Sequence, residues 1–478
     1  MIRLENYING ELCKPTGNSF LDVFDPSNGK VIAQAPDSSE QDLEMAYDAA
    51  QNAYKDWSST SIQERSKIML KIAGAIEDSL EELALAESMD NGKPLLLAKK
   101  VDIPRASENF RFFAHAITQF SSESHEMTNA INYTIRQPLG VVGCISPWNL
   151  PLYLFTWKIA PALATGNTVI AKPSEVTPYT AYLLSKICIA AGLPKGVLNI
   201  LHGSGAKIGA AMTIHQGIKA ISFTGSTRVG KEIAKVASPM FKKISLEMGG
   251  KNPNIIFADC NYDLMLRTTL MSSFSNQGQI CLCGSRIFIE RSIYDKFKHD
   301  FVRATKLMQV GDPMKAETDI GAIVSKQHFD KINSYIQLAK EEGGTILAGG
   351  NAIKPEGKEN GWYIQPTIIE GLAFNCRTNT EEIFGPVVTI MPFDSEEEVL
   401  RYANSTDYGL SCTLWTGDLS RAHSMSKAIH SGIVWVNTWL HRDLRTPFGG
   451  VKNSGVGREG GLEALRFFTE TKNICIKY

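Results

Sequence analysis

The sequence predicts an α/β protein built on parallel sheets. Three observations carry that reading. Residues 139–250 alternate short β-branched runs with helical segments, and residues 250–440 repeat the style. The first hundred residues instead carry two stretches of helical periodicity. Strand–helix–strand order implies parallel pairing with helices over the sheet faces. At 478 residues the chain has room for about three domains and for a large core without disulfides.

The elements follow in order. Residues 39–57 place Leu43, Ala46, Ala50 and Tyr54 at helical spacing. Residues 61–88 open on Ser61 and Glu64, a capping-box pair, and continue as a long amphipathic run. Together these predict a packed helical layer. GVVGCIS, NTVIAKPS, GVLNILHG and AISFTGS are strands, with PYTAYLLSKICIAAG as an intervening helix. In the second half NPNIIFAD, SRIFIER, PVVTIMPF and GIVWVNT are strands, and SIYDKFKHDFVRATKLM is a helix. The tail ALRFFTETKNICIKY ends in a strand that pairs with its own sheet or with another subunit.

Composition removes several function classes. Lys and Arg total 49 against 50 Asp and Glu, a net charge of −1, so nucleic acid and anionic membranes are not expected partners. The nine cysteines are scattered and odd in number, which points to a reducing compartment rather than a disulfide framework. There is no C-x-x-C and no H-E-x-x-H, so no metal is expected. The N-terminus MIRLENYINGEL lacks the patterns of a signal or transit peptide. No apolar run reaches the ~20 residues of a membrane span. The expected location is cytoplasmic.

Several segments have the makings of a site. FTGSTRVG, residues 223–230, joins a strand to a helix N-terminus, a setting that suits a pyrophosphate; an ordinary turn would look the same. HGSGAKIG, residues 202–209, falls one residue short of G-x-G-x-x-G. NTVIAKPSEVTP puts Lys172, Ser174 and Glu175 just past a strand, where a carboxylate can accept from a ribose diol; a solvated loop is the plainer reading. In SSFSNQGQICLCGSRIF, Cys281 follows Gly278 and could serve as a nucleophile, which requires its thiolate. Cys283 reads as a buried small hydrophobe. Glu247, at a strand end in ISLEMGGKNP, has the chemistry of a general base or of a cap.

Taken together, these segments resemble the aldehyde dehydrogenase superfamily over nearly the whole chain. SPWNLP (146–151), GNTVIAKPSE (166–175), FTGS (223–226), LEMGGKNP (246–253), NQGQICLC (276–283), EEIFGPV (381–387) and PFGGVKNSGVGREGG (447–461) occur in the family's order. Glu247 and Cys281 stand 281 − 247 = 34 residues apart, as the family pattern requires. The resemblance implies a Rossmann-like NAD-binding domain (1–117 and 138–246), an α/β catalytic domain (247–445) and a β-arm for oligomerisation (118–137 and 460–478). It implies Cys281 as nucleophile, Asn149 with the Cys281 N–H as oxyanion hole, and Glu247 as activator of the hydrolytic water. Because CoA-acylating relatives lack this glutamate, a free acid is the expected product. It implies cofactor contacts from Ser146, Pro147, Trp148, Lys172, Ser174, Glu175, Gly205, Phe223, Thr224, Gly225, Ser226, Val229, Leu246, Gly249, Glu382 and Phe384. Glu175 favours NAD, although Lys172 leaves NADP open. A homodimer or homotetramer is expected.

DIPR, ISPWNLPLYL, NQGQICLC and WLHRDL further resemble the 2-aminomuconate and 2-hydroxymuconate semialdehyde dehydrogenases. That resemblance implies a carboxylate-bearing aldehyde held by Arg105 and Arg442, in a tunnel that includes Trp157 and Phe448. The competing reading is internal salt bridges, Arg442 with Asp443 and Arg105 with Asp102. Arg111 and Arg445 are read as peripheral. A general aldehyde dehydrogenase, acting on aliphatic aldehydes, betaine aldehyde or retinal, and an inert structural protein on this fold remain alternatives.

Overall fold

A computed structural model describes residues 2–478. Two large sheets face a common junction. In the first, five parallel strands lie in the order Lys243–Glu247, Ala220–Thr224, Val141–Ile145, Thr168–Lys172 and Leu198–Ile200. Antiparallel Gly455–Val456 closes one edge, and Asn6–Ile8 with Glu11–Cys13 closes the other. The strands read as continuous apolar runs because helices bury both faces: Val142, Val169, Leu198 and Ile221 have no exposed surface. Chain order reverses at Val141–Ile145, whose neighbours are Thr168–Lys172 on one side and Ala220–Thr224 on the other. Ligands of open α/β sheets sit beyond the carboxyl ends of the strands at such a reversal.

The second sheet runs antiparallel Thr345–Ala348, then parallel Thr367–Glu370, Val387–Phe393, Arg286–Glu290, Pro253–Ile256, Ser411–Trp415 and Ile433–Val436. The chain crosses from one sheet to the other through residues 248–252, between Lys243–Glu247 and Pro253–Ile256. A third sheet stands apart. Hairpin strands Ser124–Met127 and Ala130–Pro138 are joined by Thr469–Lys477, paired antiparallel from Thr469 with Pro138 to Lys477 with Ala130. The tail thus pairs within its own chain.

The N-terminal region departs from the sequence reading in three ways. Strands Phe20–Asp25 and Lys30–Pro36 precede the helical layer. The run over 61–88 is two helices, Ile62–Asp78 and Leu80–Asn91, divided at Ser79, whose N–H returns to the Ala75 carbonyl. The full capping box belongs to the preceding helix, Glu40–Ser59: Ser39 Oγ accepts from the Asp42 N–H, and the Asp42 carboxylate accepts from the Ser39 N–H at 2.7 Å. Ser61 caps its helix from one side only, accepting from the Glu64 N–H at 3.2 Å while the Glu64 side chain stays in solvent. Ser39→Ala should therefore cost about 1 kcal/mol, and Glu64→Ala less than about 0.5 kcal/mol. The urea unfolding midpoints of the two variants check this, and equal midpoints would contradict the assignment.

Candidate active site

The residues after helix Tyr262–Phe274 form a tight loop that ends at Cys281. Asn276, Gln277 and Gly278 take φ of +52°, +57° and +68°. A Cβ at position 278 would collide with the Gly385 carbonyl, so glycine is required there. For the two non-glycine residues this conformation costs on the order of 1–2 kcal/mol each, and side-chain amides offset it. Asn276 Nδ2 donates to the Asn149 carbonyl at 2.9 Å, and Gln277 Nε2 donates to the Ala322 carbonyl at 2.9 Å. Gln279 Oε1 accepts from the Val324 N–H at 3.2 Å. Asn252 Nδ2 donates to the carbonyls of both Cys281 (2.7 Å) and Cys283 (2.9 Å). Cys283 is buried, as read from the sequence.

Asn149 follows strand Val141–Ile145 and precedes helix Pro151–Ala164. Its Nδ2 donates to the Gln279 carbonyl at 2.9 Å, which engages one of the two amide hydrogens. Its own carbonyl also accepts from Lys93 Nζ at 3.3 Å. That lysine is wholly buried between Asp102 (2.5 Å) and Glu87 (3.4 Å).

Two cavities meet at Cys281, Thr224 and Met248. The smaller, about 210 Å³, is lined by Pro147, Trp148, Asn149, Gly225, Ser226, Gly249, His328, Lys331, Glu382 and Phe384. Ser226 caps the helix Thr227–Ala237, accepting from the Val229 N–H. A Cβ on Gly249 would collide with the Glu382 carboxylate. His328 contacts the Phe384 carbonyl through Nε2 at 2.6 Å and fixes that residue, whose φ is +63°. Burial holds His328 down at about 4, so the ring is neutral. One strand over, Lys172 and Glu175 pair at 3.0 Å, and Glu175 Oε1 accepts from the Gly205 N–H at 3.1 Å. Ser146 is buried there with its hydroxyl unpaired.

The larger cavity, about 360 Å³, contains Glu247, Glu459, Asp102, Arg105, Tyr153, Trp439, Arg442 and Phe448. Both carboxylate oxygens of Glu247 are buried without a hydrogen-bond donor among the described residues. Burial pushes Glu247 well above the usual carboxylate range, and the neighbouring Glu459 carboxylate adds to this; Lys158 and Arg458 oppose it. Glu459 is bonded to Lys158 at 2.6 Å and to Ser222 at 3.1 Å. Burial, with the carboxylates of Glu382 and Glu247, pushes the Cys281 thiol up, while Arg442 pulls it down. The arrangement therefore sets a thiol that burial keeps protonated near a carboxyl group held well above the usual carboxylate range.

Some expected contacts lie elsewhere. Leu246 and Phe223 are sheet-core residues that line neither cavity; the cavity wall beside them is Met248 and Gly225. Val229 packs against the same core, and Ser174 turns inward to accept from the Val176 N–H at 3.2 Å. Trp157 stands behind the larger cavity, against Phe113 and under the Arg442 guanidinium. The two salt bridges weighed for the arginines do not form: Asp443 pairs with Arg445, and Asp102 with Lys93. Arg105 pairs with Glu108 at 3.0 Å, and Arg111 with Glu77 at 2.6 Å. Tyr153, Lys158, Asn252, His328, Lys331 and Glu459 were not singled out from the sequence. Tyr153, Asn252 and Glu459 lie inside the motifs ISPWNLPLYL, LEMGGKNP and PFGGVKNSGVGREGG, whereas Lys158, His328 and Lys331 lie in none of the quoted segments.

A thiol, an unpaired buried carboxyl group and an anchored asparagine, set where two cavities join, are the equipment of an enzyme that forms a covalent cysteine adduct. The chain belongs to the aldehyde dehydrogenase family, whose sequence profile matches residues 13–474, and is an oxidoreductase. It is 49% identical over 483 residues to the 2-aminomuconic semialdehyde dehydrogenase of Mus musculus, covering 100% of this chain and 99% of that one. It is 45% identical over 486 residues to the 2-hydroxymuconic semialdehyde dehydrogenase of Pseudomonas sp. (strain CF600), covering all of both chains. The NAD+ complex of an aldehyde dehydrogenase from Bacillus cereus superposes with a TM-score of 0.97 at 37% identity, covering 99% of this chain and 96% of that one.

Asn252 is the side chain on which the Cys281 loop depends most directly. Asn252→Ala removes two donors to the loop and leaves the Ser411 N–H without its 3.1 Å acceptor. The variant should lose about 2–3 kcal/mol of stability and turn over an aldehyde at least about tenfold more slowly. Thermal melting and steady-state NADH absorbance check both; normal turnover in a destabilised protein would show that the loop holds itself.

Proposed function

We propose that this protein oxidises a carboxylate-bearing semialdehyde to the free acid with NAD, by way of a thiohemiacetal and a thioester on Cys281. The observation that carries the substrate class is Arg442. Its guanidinium lies in the larger cavity over the Phe448 ring (4.2 Å) and donates to Tyr153 Oη at 2.9 Å. It has no carboxylate within salt-bridge distance among the described residues, whereas Arg105 already pairs with Glu108. A guanidinium in a partly desolvated, aromatic-walled cavity without a counter-ion favours an anionic ligand, and its planar fork suits a carboxylate. The names of the two relatives, both muconic semialdehyde dehydrogenases, point the same way.

The residues around the smaller cavity suit a dinucleotide. The Ser226-capped helix N-terminus offers free N–H groups to a pyrophosphate, Glu175 offers a ribose acceptor that disfavours a 2′-phosphate, and Gly249 leaves room beside Glu382. When bound, the nicotinamide supplies the hydride acceptor. The chain's own residues do the rest. The Cys281 sulfur adds to the aldehyde carbon as its proton passes to solvent, and the carbonyl π pair moves onto the oxygen. The second Asn149 amide hydrogen, with the Cys281 N–H, faces the oxygen on which negative charge develops. Once hydride departs, a thioester remains. Glu247 takes a proton from water as the oxygen adds to the thioester carbon; the carbon–sulfur bond then breaks, the acid leaves, and the proton on Glu247 returns to the sulfur to restore the thiol. Domain limits of 1–117 with 138–246, 247–445, and 118–137 with 460–478 follow from this reading. The exposed third sheet then serves to join subunits into a dimer or tetramer.

Two outcomes are expected. Glu247 works as a base only when ionised, and its pKa is raised, so kcat should climb with pH along a limb well above the ordinary carboxylate range. Glu247→Gln should abolish that limb and slow steady turnover about a hundredfold or more, while a first-turnover burst of NADH survives. A variant that keeps the limb assigns it to another group. Arg442→Ala should reduce the preference for a carboxylated aldehyde over its methyl ester by about 1.5–3 kcal/mol in relative kcat/KM. An unaltered ratio would return the chain to a general aldehyde dehydrogenase.

A further inference from the structure

The carboxylate reading leaves open what holds the two arginines in place, and the cavity wall between them is a single residue. Tyr153 stands in the first turn of helix Pro151–Ala164. It is 8% exposed and lines the larger cavity. Its hydroxyl accepts the 2.9 Å bond from Arg442 Nη1, and the face of its ring lies 5.7 Å from the Arg105 guanidinium carbon. The backbone that carries the ring is held, because the Tyr153 carbonyl accepts from Asn109 Nδ2 at 3.0 Å. Apart from the aromatic rings of Phe448 and Trp157, Arg442 has no other side-chain partner among the described residues. Arg105 Nε is buried with no partner, so part of its fork is uncommitted.

We infer that Tyr153 is the specificity-determining positioning residue of this site. It is a spacer that keeps two like-charged guanidinium groups at a separation at which their free N–H edges converge on one carboxylate. The proposal rests on the carboxylate reading above. Two cations in one cavity repel, and with a single acid, Glu108, paired to one of them, they would drift apart or turn to solvent. One tyrosine engages both, by a hydrogen bond to Arg442 and a cation–π contact to Arg105. Neither contact consumes a negative charge, so the pair keeps its attraction for an anionic ligand. A carboxylate at position 153 would quench that attraction, and an aliphatic residue would leave Arg442 with no hydrogen bond. Tyrosine meets both requirements.

The test is a double-mutant cycle on 6-oxohexanoate and methyl 6-oxohexanoate, with NAD. The readout is the ratio of kcat/KM for acid over ester in wild type, Tyr153→Phe, Arg442→Ala and the double variant. The phenylalanine keeps the ring, so folding and the Arg105 contact should survive; a melting temperature checks this. Tyr153→Phe should lower the ratio about tenfold, chiefly through KM for the acid, and it should have no further effect once Arg442 is alanine. If Tyr153→Phe lowers the ratio equally in both backgrounds, the hydroxyl meets the substrate itself and the spacer role is overturned. If the ratio is unchanged by Tyr153→Phe but collapses in Arg442→Ala, the carboxylate clamp stands without the spacer. If wild type shows no preference for the acid, the carboxylate reading itself has failed, and the spacer falls with it.

Discussion

A loop that carries a reactive sulfur between two sheets cannot borrow hydrogen bonds from either ladder. Residues 276–281 lie in that position, and three consecutive left-handed residues turn them sharply enough to present Cys281 at the junction. Each buried carbonyl and N–H there must still find a partner, since an orphan costs about 1–3 kcal/mol. Asn149 and Asn252 donate to the carbonyls of Gln279, Cys281 and Cys283, while the loop's own Asn276, Gln277 and Gln279 side chains tie it to the Asn149 carbonyl, the Ala322 carbonyl and the Val324 N–H. An amide offers donor and acceptor without charge, so it satisfies backbone on both sides and leaves the local electrostatics to the carboxyl groups. Much of the junction follows from this. The Asn149 carbonyl is fixed by Asn276 and Lys93, which holds that residue at the junction. Lys93 can be buried there only because Asp102 and Glu87 surround it.

What was legible in the sequence is what is encoded locally. The inner strands of both sheets are apolar on each face, so VVGCI, TVIAK and NPNII announce themselves as short β-branched runs bounded by turns. The helices over 40–59, 179–190 and 294–306 show their periodicity in the same way. Ser411–Trp415 escaped because SCTLW mixes polar and apolar residues, although it is fully buried between Pro253–Ile256 and Ile433–Val436. The break at Ser79 escaped because neither Gly nor Pro marks it. The apolar stripe runs on through Leu80 and Leu83, and only the backbone turn at Ser79 re-aims the second helix.

The candidate site divides along the same line. Cys281, Glu247 and Asn149 sit in motifs whose order and spacing are visible in one dimension. Tyr153 meets Arg442 across 289 positions, and Lys158 meets Glu459 across 301. Tyr153 is indistinguishable in sequence from the buried aromatics around it, and Glu459 from an ordinary acid between glycines. The arginines show how adjacency misleads. Asp443 is next to Arg442 in sequence, yet successive side chains in an extended loop point apart, and Asp443 curls onto Arg445 instead. Asp102 is three residues before Arg105, on a face that a helix would share, but a π-helical turn over Ala98–Asp102 rotates it inward to Lys93.

The charge balance around Cys281 runs against the simplest view of an activated cysteine. Nucleophilic thiols are commonly drawn down by a nearby cation or helix N-terminus; here burial, then Glu382 and Glu247, push the thiol up, and Arg442 opposes them. Glu459 pairs with Lys158, and burial beside that carboxylate holds Glu247 well above the usual carboxylate range. Burial thus favours the neutral form of both the sulfur and Glu247. A thiol reacts slowly with oxidants as well as with aldehydes, because the thiolate is the reactive form. In the proposed mechanism the sulfur gives up its proton to solvent as the carbon–sulfur bond forms on a bound aldehyde. An asparagine hydrogen and a main-chain N–H suit that order of events. In the proposed mechanism they would stabilise charge on the substrate oxygen after addition begins and do little for a free thiolate beforehand.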